Sequence, residues 1–210
     1  MMSSAWEKGL KLMDDTVSSV IVREMTEADI AAAAAIHQAV FNRQLDSVAW
    51  VTCNFRAYPR ILCFVAELNG TLVGFIEWIQ KSGFRKEVVL ELEQLAVRPD
   101  YQRQGVGTSL IQESLGQVAR MLKRRGACIK NIIVTTRTDN QAQRLYRKVL
   151  GAAPEAVIKD LYSADEVIMV ARNTRRVRTS TRLAITPGRV SPDSPSIGKG
   201  NSRSSTRTRR

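Results

Sequence analysis

The sequence predicts a single mixed α/β domain, and three observations carry that prediction. Short apolar segments typical of buried strands alternate with longer segments whose apolar residues recur every three or four positions. The dipeptide Asn69-Gly70 between two apolar runs is a strong β-hairpin signal. At 210 residues the chain is long enough for one full core and too short for two comfortable ones. We therefore expect one domain with appendages at its ends.

The predicted elements follow the order β-α-α-β-β-β-α-β-α-β-β. Thr26 and Asp29 resemble a capping box before an alanine-rich helix. The long helix that begins at Val106 has one apolar face and a basic last turn, which suits the helix dipole. Asp139 can cap the last helix. Strands are expected at 20–23, on both sides of the hairpin within 61–80, and at 88–97, 131–136, 156–161 and 166–171, and helices at 28–41, 45–56, 106–122 and 139–149.

The positive charge is concentrated at the C-terminal end. The formal net charge is +12, but residues 172–210 hold 11 Lys or Arg residues against one acid, Asp193, which leaves +2 for residues 1–171. A charge spread over the fold would indicate a nucleic-acid partner, whereas this basicity belongs to one segment. The segment is rich in Arg, Ser, Thr, Pro and Gly, so we expect a disordered tail. A nucleic-acid-binding arm is the alternative interpretation.

The cysteines and the length of the apolar runs limit the class of protein. Cys53, Cys63 and Cys128 form no pair at metal-ligand spacing, which favours buried, reduced thiols over a disulfide framework or a zinc site. The first residues lack the apolar run of a signal peptide, and no apolar window approaches the roughly 18 residues of a membrane span. We therefore expect a cytoplasmic protein without a membrane partner. The predicted organisation is a leader at 1–19, a domain at 20–171 and a tail at 172–210.

The stretch from Leu92 to Gln112, LEQLAVRPDYQRQGVGTSLIQ, joins a strand, a glycine-punctuated turn and the start of a helix. A helix N-terminus leaves backbone N–H groups unpaired, and its dipole favours negative charge there. Gly105 and Gly107 would let an anion approach these groups without meeting a side chain. The segment therefore predicts an anion cradle. It is neither a dinucleotide fingerprint, which needs a third glycine, nor a P-loop, which needs Gly-Lys-Ser or Gly-Lys-Thr.

With its context, the segment resembles the coenzyme-A-binding segment of the GNAT superfamily of N-acetyltransferases. The family pattern is Gln or Arg, two residues, Gly, one residue, and Gly or Ala, which residues 102–107, QRQGVG, match after LAVRPDY. The order of elements over about residues 20–171 is similar as well. The resemblance implies the acyl-CoA N-acyltransferase fold, with a central mixed, mostly antiparallel sheet whose strands splay and are flanked by helices.

The resemblance also implies acetyl-CoA as the cofactor. The amides of residues 103–108 would bind its pyrophosphate, the backbone of Leu95 would meet the acetyl carbonyl, and that of Val97 the pantetheine arm. The strand at 132–136 would diverge from them and leave a wedge for the arm. The expected cofactor-binding residues are Leu95, Ala96, Val97, Gln102, Arg103, Gln104, Gly105, Val106, Gly107, Thr108, Asp139 and Tyr146.

Acetyl transfer to an amine needs a base, because a primary amine with a pKa of about 10 is mostly protonated at neutral pH. Glu91 and Glu93 lie two residues apart, so alternation predicts both side chains on the face of Leu95 and Val97. Glu93 is the first candidate, since LEQLAV resembles a segment of small-amine acetyltransferases, and Glu91 is the second. Either carboxylate could instead line a wet cleft or pair with a cation.

Two further roles follow from the family resemblance. The Leu95 amide would stabilise charge on the carbonyl oxygen, and Tyr146 would protonate the leaving thiolate, with helix packing as the alternative for Tyr146. Trp50, Phe55 and Tyr58 either shape the acceptor pocket or pack in the core. His37 is expected to be a packing or surface residue and not a general base, Trp78 is expected in the core, and no metal cluster is apparent in the sequence.

The predicted function is acetyl transfer from acetyl-CoA to a primary amine by direct attack in a ternary complex, since no cysteine is placed as an acetyl carrier. The acceptor stays open between a small amine, a lysine and a protein N-terminus. Val134 stands where ribosomal-protein N-terminal acetyltransferases carry a glutamate, which weighs against that acceptor. The alternative is a catalytically inactive module of the same fold with a basic nucleic-acid-binding arm. A homodimer also stays open.

Overall fold

The computed structural model describes residues 19–172. The predicted leader and tail lie outside this range except for Ser19 and for Arg172, which ends the last strand, and the hypothesis of a basic arm lies outside it as well. Short 3-10 turns occupy Glu27–Asp29 and Pro99–Tyr101. The strands are β1 (Ile21–Glu24), β2 (Ile61–Leu68), β3 (Thr71–Lys81), β4 (Glu87–Val97), β5 (Cys128–Arg137), β6 (Ala153–Ile158) and β7 (Glu166–Arg172), and the helices are α1 (Ile30–Val40), α2 (Ser47–Arg56), α3 (Val106–Arg124) and α4 (Gln143–Leu150).

The strands form one seven-stranded sheet in the order β1-β2-β3-β4-β5-β7-β6. Only β4 and β5 are parallel, and every other neighbouring pair is antiparallel. Asn69 and Gly70 have φ values of 50° and 75° and close the β2–β3 hairpin, as a type I′ turn requires. The predicted mixed α/β fold is confirmed.

Helices cover both faces of the sheet and define two cores. The larger core lies under α3 and α4, and the smaller one under α1 and α2. Trp78 is fully buried in the larger core, as expected, and its Nε1–H donates to Ser114 Oγ at 2.9 Å. No helix in the described part of the chain combines the length and apolarity that crossing a bilayer would need.

The start of the first helix follows the prediction closely. The Asp29 carboxylate accepts hydrogen bonds from the Thr26 backbone N–H at 2.8 Å and from its hydroxyl at 2.7 Å. Arg23 donates to the same carboxylate at 2.7 and 2.9 Å, which holds the pKa of Asp29 well below its usual range. The chain passes through a 3-10 turn before α1 begins at Ile30.

The sheet opens between β4 and β5. Their pairing ends at Leu92 opposite Val134, although β4 continues to Val97 and β5 to Arg137. Beyond that point β4 stays paired only with β3, and β5 only with β7. The sheet therefore divides into two parts that leave a gap between these strand ends.

Strand β4 contains a β-bulge beside this gap. In its pairing with β3, Glu77 lies opposite Gln94 and Trp78 lies opposite Leu92, so Glu93 is the extra residue. A bulge of this kind bends the strand and shifts the alternation of its side chains by one position.

The bulge overturns one prediction about the two carboxylates. Leu92 and Leu95 both pack against the α3 core although they lie three positions apart, an odd number that would place them on opposite faces of a regular strand. Glu91 lies between Leu90 and Leu92 of that core, and it therefore faces the opposite side, towards α1 and α2. The expectation that Glu91 and Glu93 share a face with Leu95 is wrong, because alternation holds only in a strand without a bulge.

Two other expectations need correction. The strand predicted at 156–161 runs instead over Ala153–Ile158, because the Gly151 turn (φ 69°) ends α4 and the chain pairs with β7 at once. The three cysteines are free, but Cys53 and Cys128 are exposed and only Cys63 is half-buried. Burial was the wrong expectation for the two exposed thiols.

Candidate active site

A cavity of about 1300 Å³ occupies the gap between β4 and β5. Its lining comes from both faces of the sheet, since the gap connects them. One half lies by the end of β4 and the starts of α3 and α4, and the other by the end of α1 and the β6–β7 loop. We call these the cradle half and the acceptor half. The cavity contains both catalytic carboxylates predicted from the sequence, Glu91 and Glu93.

The cradle half is built around the start of α3. Gly105 is the N-cap residue of that helix, adopts φ 90°, and makes no side-chain cap to the first turn. A Cβ placed on Gly105 would meet nothing within 4 Å, so the space in front of these N–H groups is open. At Gly107 a Cβ would lie 3.3 Å from Leu145 Cδ2. Both glycines line the cavity, so the predicted anion cradle would open into it.

The end of β4 directs backbone groups into the gap. Gln102 Nε2 donates to the Val97 carbonyl at 3.0 Å, whereas the next N–H, that of Arg98, bonds to Val73 of β3. The Val97 carbonyl therefore points away from β3. Since backbone groups alternate along a strand, the N–H and C=O of Leu95 point to the same side. These are the positions at which the resemblance implied contacts with a thioester arm.

The two carboxylates have different surroundings. Glu91 Oε2 lies 2.8 Å from Lys81 Nζ, and its Oε1 accepts a 3.4 Å hydrogen bond from the Thr135 hydroxyl. No residue among 19–172 forms an ion pair or hydrogen bond with the Glu93 carboxylate. Burial, and after it the charge of Glu91, raises the pKa of Glu93, while Lys81 and Arg60 act in the opposite direction. Glu93 is thus the carboxylate that is free to take a proton.

The acceptor half combines apolar walls with acidic groups. Its mouth carries unusually exposed apolar side chains, with Leu45 90 % and Tyr162 77 % exposed, beside half-exposed Trp50. Glu166 is buried at the start of β7, and burial raises its pKa while Arg137 opposes that shift. This half of the cavity therefore presents both apolar side chains and carboxyl groups.

The predicted cofactor residues divide into two groups. Those that line the cavity are Leu95, Val97, Gln102, Arg103, Gly105, Gly107 and Thr108. Ala96 and Val106 are buried in the cores, and the Gln104 side chain donates to the Asp100 carbonyl at 2.8 Å. Tyr146 is 6 % exposed within the larger core and does not line the cavity, and burial raises the pKa of Tyr146 to about 12.

Asp139 does not cap the last helix, contrary to the prediction. Its carboxylate accepts two hydrogen bonds from Arg137, at 2.7 and 3.0 Å. Asn140 Oδ1 instead accepts from the Ala142 N–H at 2.9 Å, and α4 begins only at Gln143. A nearby guanidinium thus engages the acid, and the neighbouring amide takes over the turn. Asp139 does not line the cavity, whereas Asn140 does.

The three aromatic residues expected either in the acceptor pocket or in the core lie in two different cavities. Trp50 lines the acceptor half of the cavity. Phe55 and Tyr58 line a different cavity of about 360 Å³ near β2. His37 is fully buried, and burial lowers its pKa, so it is a packing residue as expected.

Sequence reasoning missed several cavity residues because they lie on segments without a motif. The helix-ending turn after α1, the end of β5 and the β6–β7 loop carry no distinctive pattern. The missed lining residues include Val40, Phe41, Gln44, Leu45, Thr135, Thr136, Arg137, Asn140, Tyr162 and Glu166. The one signal in the sequence was Glu166, an acidic residue at the start of the otherwise apolar segment 166–171. Within the described part of the chain, no cluster of three or more His, Cys, Asp and Glu side chains could hold a metal ion.

A split, mostly antiparallel sheet with a glycine-capped helix beside the gap is the fold that the resemblance to acyltransferases implied, and comparisons with known proteins give the family. The sequence model of the acetyltransferase (GNAT) family matches residues 30–152. The chain belongs to this family.

Individual relatives agree with that assignment. An uncharacterized N-acetyltransferase of Methanocaldococcus jannaschii is 33 % identical over 100 residues, which are 46 % of this chain and 41 % of that protein, so the match spans less than half of either. The structure of Ard1 from Thermoplasma volcanium is 25 % identical, with a TM-score of 0.58, over 72 % of this chain and 96 % of that one. The Salmonella typhimurium protein yncA, solved with its cofactor acetyl-CoA, shares the fold at 20 % identity and a TM-score of 0.53, over 73 % and 94 % of the two chains.

Proposed function

We propose that the protein transfers an acetyl group from acetyl-CoA to a primary amine by direct attack in a ternary complex. One observation carries this proposal. The unpaired Glu93 carboxylate lies in a cavity whose other half ends at a glycine-capped helix N-terminus. A base and an anion cradle in one cavity are what amine acetylation by a diphosphate-bearing thioester requires.

The residues of the cradle half fit the proposed co-substrate. The amides of residues 103–108 at the start of α3 would hold the pyrophosphate, since the space before Gly105 is open. The pantetheine arm would run through the gap along Val97. Acetyl-CoA supplies an activated acetyl group as a thioester. The Leu95 N–H is the donor proposed to stabilise negative charge on the acetyl oxygen.

The proposed reaction moves protons through two side chains, one that accepts a proton and one that donates a proton. The amine nitrogen forms a bond to the acetyl carbon, and the carbon–sulfur bond breaks. Glu93 would accept the proton lost by the amine, directly or through water. Tyr146 is the proposed donor to the thiolate. Because its hydroxyl is buried in the core, this last role needs a small opening of α4 around Leu145, which does line the cavity.

Glu93 is preferred over Glu91 as the base for an electrostatic reason. The Glu91 carboxylate is already engaged by Lys81 Nζ at 2.8 Å and by the Thr135 hydroxyl, so its oxygens are less available to an amine than those of Glu93. Burial raises the pKa of Glu93 above its ordinary value of 4.5. A base works in its ionised form, so activity should be lost as the pH falls through that raised pKa.

A mass-spectrometric screen of small amines, lysine peptides and N-terminal peptides with acetyl-CoA tests the activity and identifies the acceptor. We expect Glu93→Gln to lower kcat by about 10²- to 10⁴-fold and to remove the acidic limb of the pH profile. Glu91→Gln is the matched control and should have the smaller effect. Isothermal titration should detect acetyl-CoA binding that Gly105→Glu abolishes.

Three outcomes would contradict the proposal. If no amine is acetylated, the catalytic function is wrong, and a binding module becomes the better hypothesis. If Glu93→Gln retains full kcat, the base is Glu91 or a water chain. If Gly105→Glu binds acetyl-CoA normally, the anion cradle lies elsewhere.

A further inference from the structure

Behind the acceptor half lies a buried polar cluster that the proposed acetyl transfer does not use. Glu77 of β3 is 0 % exposed, and Asn54 Nδ2 of α2 donates to its Oε2 at 2.7 Å. Glu77 Oε1 is buried without a hydrogen-bond partner among the described residues. Gln94 Oε1 is in the same condition, and Gln94 lies directly opposite Glu77 in the β3–β4 pairing. Leaving one buried acceptor unpaired is costly, and here two occur at one place.

A single hydrogen atom would satisfy both oxygens. Residues directly opposite in an antiparallel pair have Cβ atoms about 4.5–5.5 Å apart, so their side-chain ends can meet. Two acceptors bond only when one of them carries a proton, and a carboxyl group takes a proton where an amide oxygen does not. We propose that Glu77 is a positioning residue that stays protonated at neutral pH and donates its hydrogen to Gln94 Oε1.

The groups around Glu77 favour the neutral acid. Cys63 faces it from β2 as a neutral thiol whose pKa burial raises, and the charge of Glu93 on β4 disfavours a second charge nearby. The hydrogen bond from Asn54 favours the charged form, but burial outweighs it and raises the pKa of Glu77 to about 8. From α1, His37 contributes no positive charge, because burial lowers its pKa.

The nearby cations do not offset this environment. No described residue forms an ion pair with Glu77, since Lys81 is engaged by Glu91 at 2.8 Å. Lys81 and Arg60 act on the charge of Glu93 instead. Lys81 thus acts on Glu91 and Glu93, and neither Lys81 nor Arg60 offsets a charge on Glu77.

The proposed bond fixes the wall of the acceptor half. With its oxygen turned towards Glu77, the Gln94 amide donates from Nε2 to His37 Nε2 and to Gln44 Oε1, each at 3.2 Å. His37 then carries its hydrogen on Nδ1 and donates it to Ser47 Oγ at 2.8 Å. Gln44 lines the cavity, as does Gln94 itself. Glu77 thus acts through Gln94, and this part of its role rests on the proposed function.

Unfolding by urea as a function of pH tests the protonation state without any substrate. Between the ordinary pKa of 4.5 and about 8, the native state would hold one proton that the unfolded chain has lost. The folding constant of the wild type should therefore fall, relative to that of Glu77→Gln, by on the order of tenfold per pH unit and level off above about pH 8. Glu87→Gln, at an exposed position of β4, controls for the loss of one carboxylate. Parallel curves for the wild type and Glu77→Gln would overturn the proposal.

Acetyl-transfer kinetics test the positioning role. A glutamine at position 77 can accept from Asn54 and donate to Gln94, whereas leucine leaves both partners unpaired. Glu77→Leu should therefore lower kcat, whereas Glu77→Gln should keep a kcat close to that of the wild type. Glu77→Gln should also keep the acidic limb of the pH profile that we assign to Glu93. An equal loss of kcat in both variants would show that the negative charge is needed and would overturn the role. If the wild type transfers no acetyl group, the proposed function fails, while the unfolding curves still decide whether Glu77 is protonated.

Discussion

Replacing Gly105 with alanine isolates the contribution of the anion cradle. The backbone of Gly105 has φ 90°, and a Cβ there would touch nothing within 4 Å. The folding cost is therefore that of placing an L-residue in the left-handed region, about 1–2 kcal/mol. Gly83 is a matched control, since its φ is 85° and its Cβ would also meet open space, but it does not line the cavity. The two alanine variants should lose similar stability.

The variants should differ only when acetyl-CoA is present. At a concentration of about 100 times Kd, a ligand that binds only the native state adds about 2.7 kcal/mol to the free energy of unfolding. Gly83→Ala should retain that gain. If the methyl group at position 105 weakens binding tenfold, the gain at the same concentration falls to about 1.4 kcal/mol.

Urea denaturation with and without acetyl-CoA measures both quantities for each variant, and isothermal titration checks the change in Kd. Equal ligand-induced gains for Gly105→Ala and Gly83→Ala would refute the assignment of the cradle. A much larger loss of stability for Gly105→Ala without ligand would show that its methyl group clashes, against the open space found here.

Two further predictions concern groups away from the cradle. Tyr146→Phe should lower kcat while leaving the Kd for acetyl-CoA nearly unchanged, as judged from steady-state kinetics and titration, and an unchanged kcat would assign Tyr146 to the core alone. Asp29→Asn should lower the free energy of unfolding at neutral pH by about 1–3 kcal/mol, because the carboxylate accepts charge-assisted hydrogen bonds from Arg23. Since Arg23 lowers the pKa of Asp29 below its ordinary 3.8, this contribution is present above that pH and is lost as the pH falls. Urea curves that give the same difference at neutral and strongly acidic pH would contradict this explanation.

The sequence predicted those elements that depend only on residues close together in the chain. The hairpin at Asn69-Gly70 needs two residues that accept positive φ, and both are present in sequence. Helix α3 repeats its apolar residues over 19 positions, so its boundaries and its buried face were readable. The sequence alone was sufficient for the hairpin and the helix. The anion cradle at Gly105 and Gly107 also depends on contiguous residues, and it stays a prediction.

Features that depend on a partner strand or on competing side chains were not predictable in this way. The bulge at Glu93 exists only in the register with β3, and nothing in LEQLAV distinguishes it from regular alternation. Asp139 and Asn140 are both good capping residues, and the structure pairs Asp139 with Arg137 while Asn140 caps the turn. The position of the short β6 strand depends on its pairing with β7 in the same way.

The bulge and the end of the β4–β5 pairing together explain why one strand can serve both halves of the cavity. Glu93 follows Leu92, the last residue of β4 that is paired with β5. Before this point, the backbone of β4 is occupied on both sides, and Glu91 faces α1 and α2. After it, the bulge returns Leu95 to the α3 core, while the loss of β5 leaves the Leu95 backbone groups facing the gap. A regular strand would keep Leu95 on the same face as Glu91, with its side chain directed into the acceptor half.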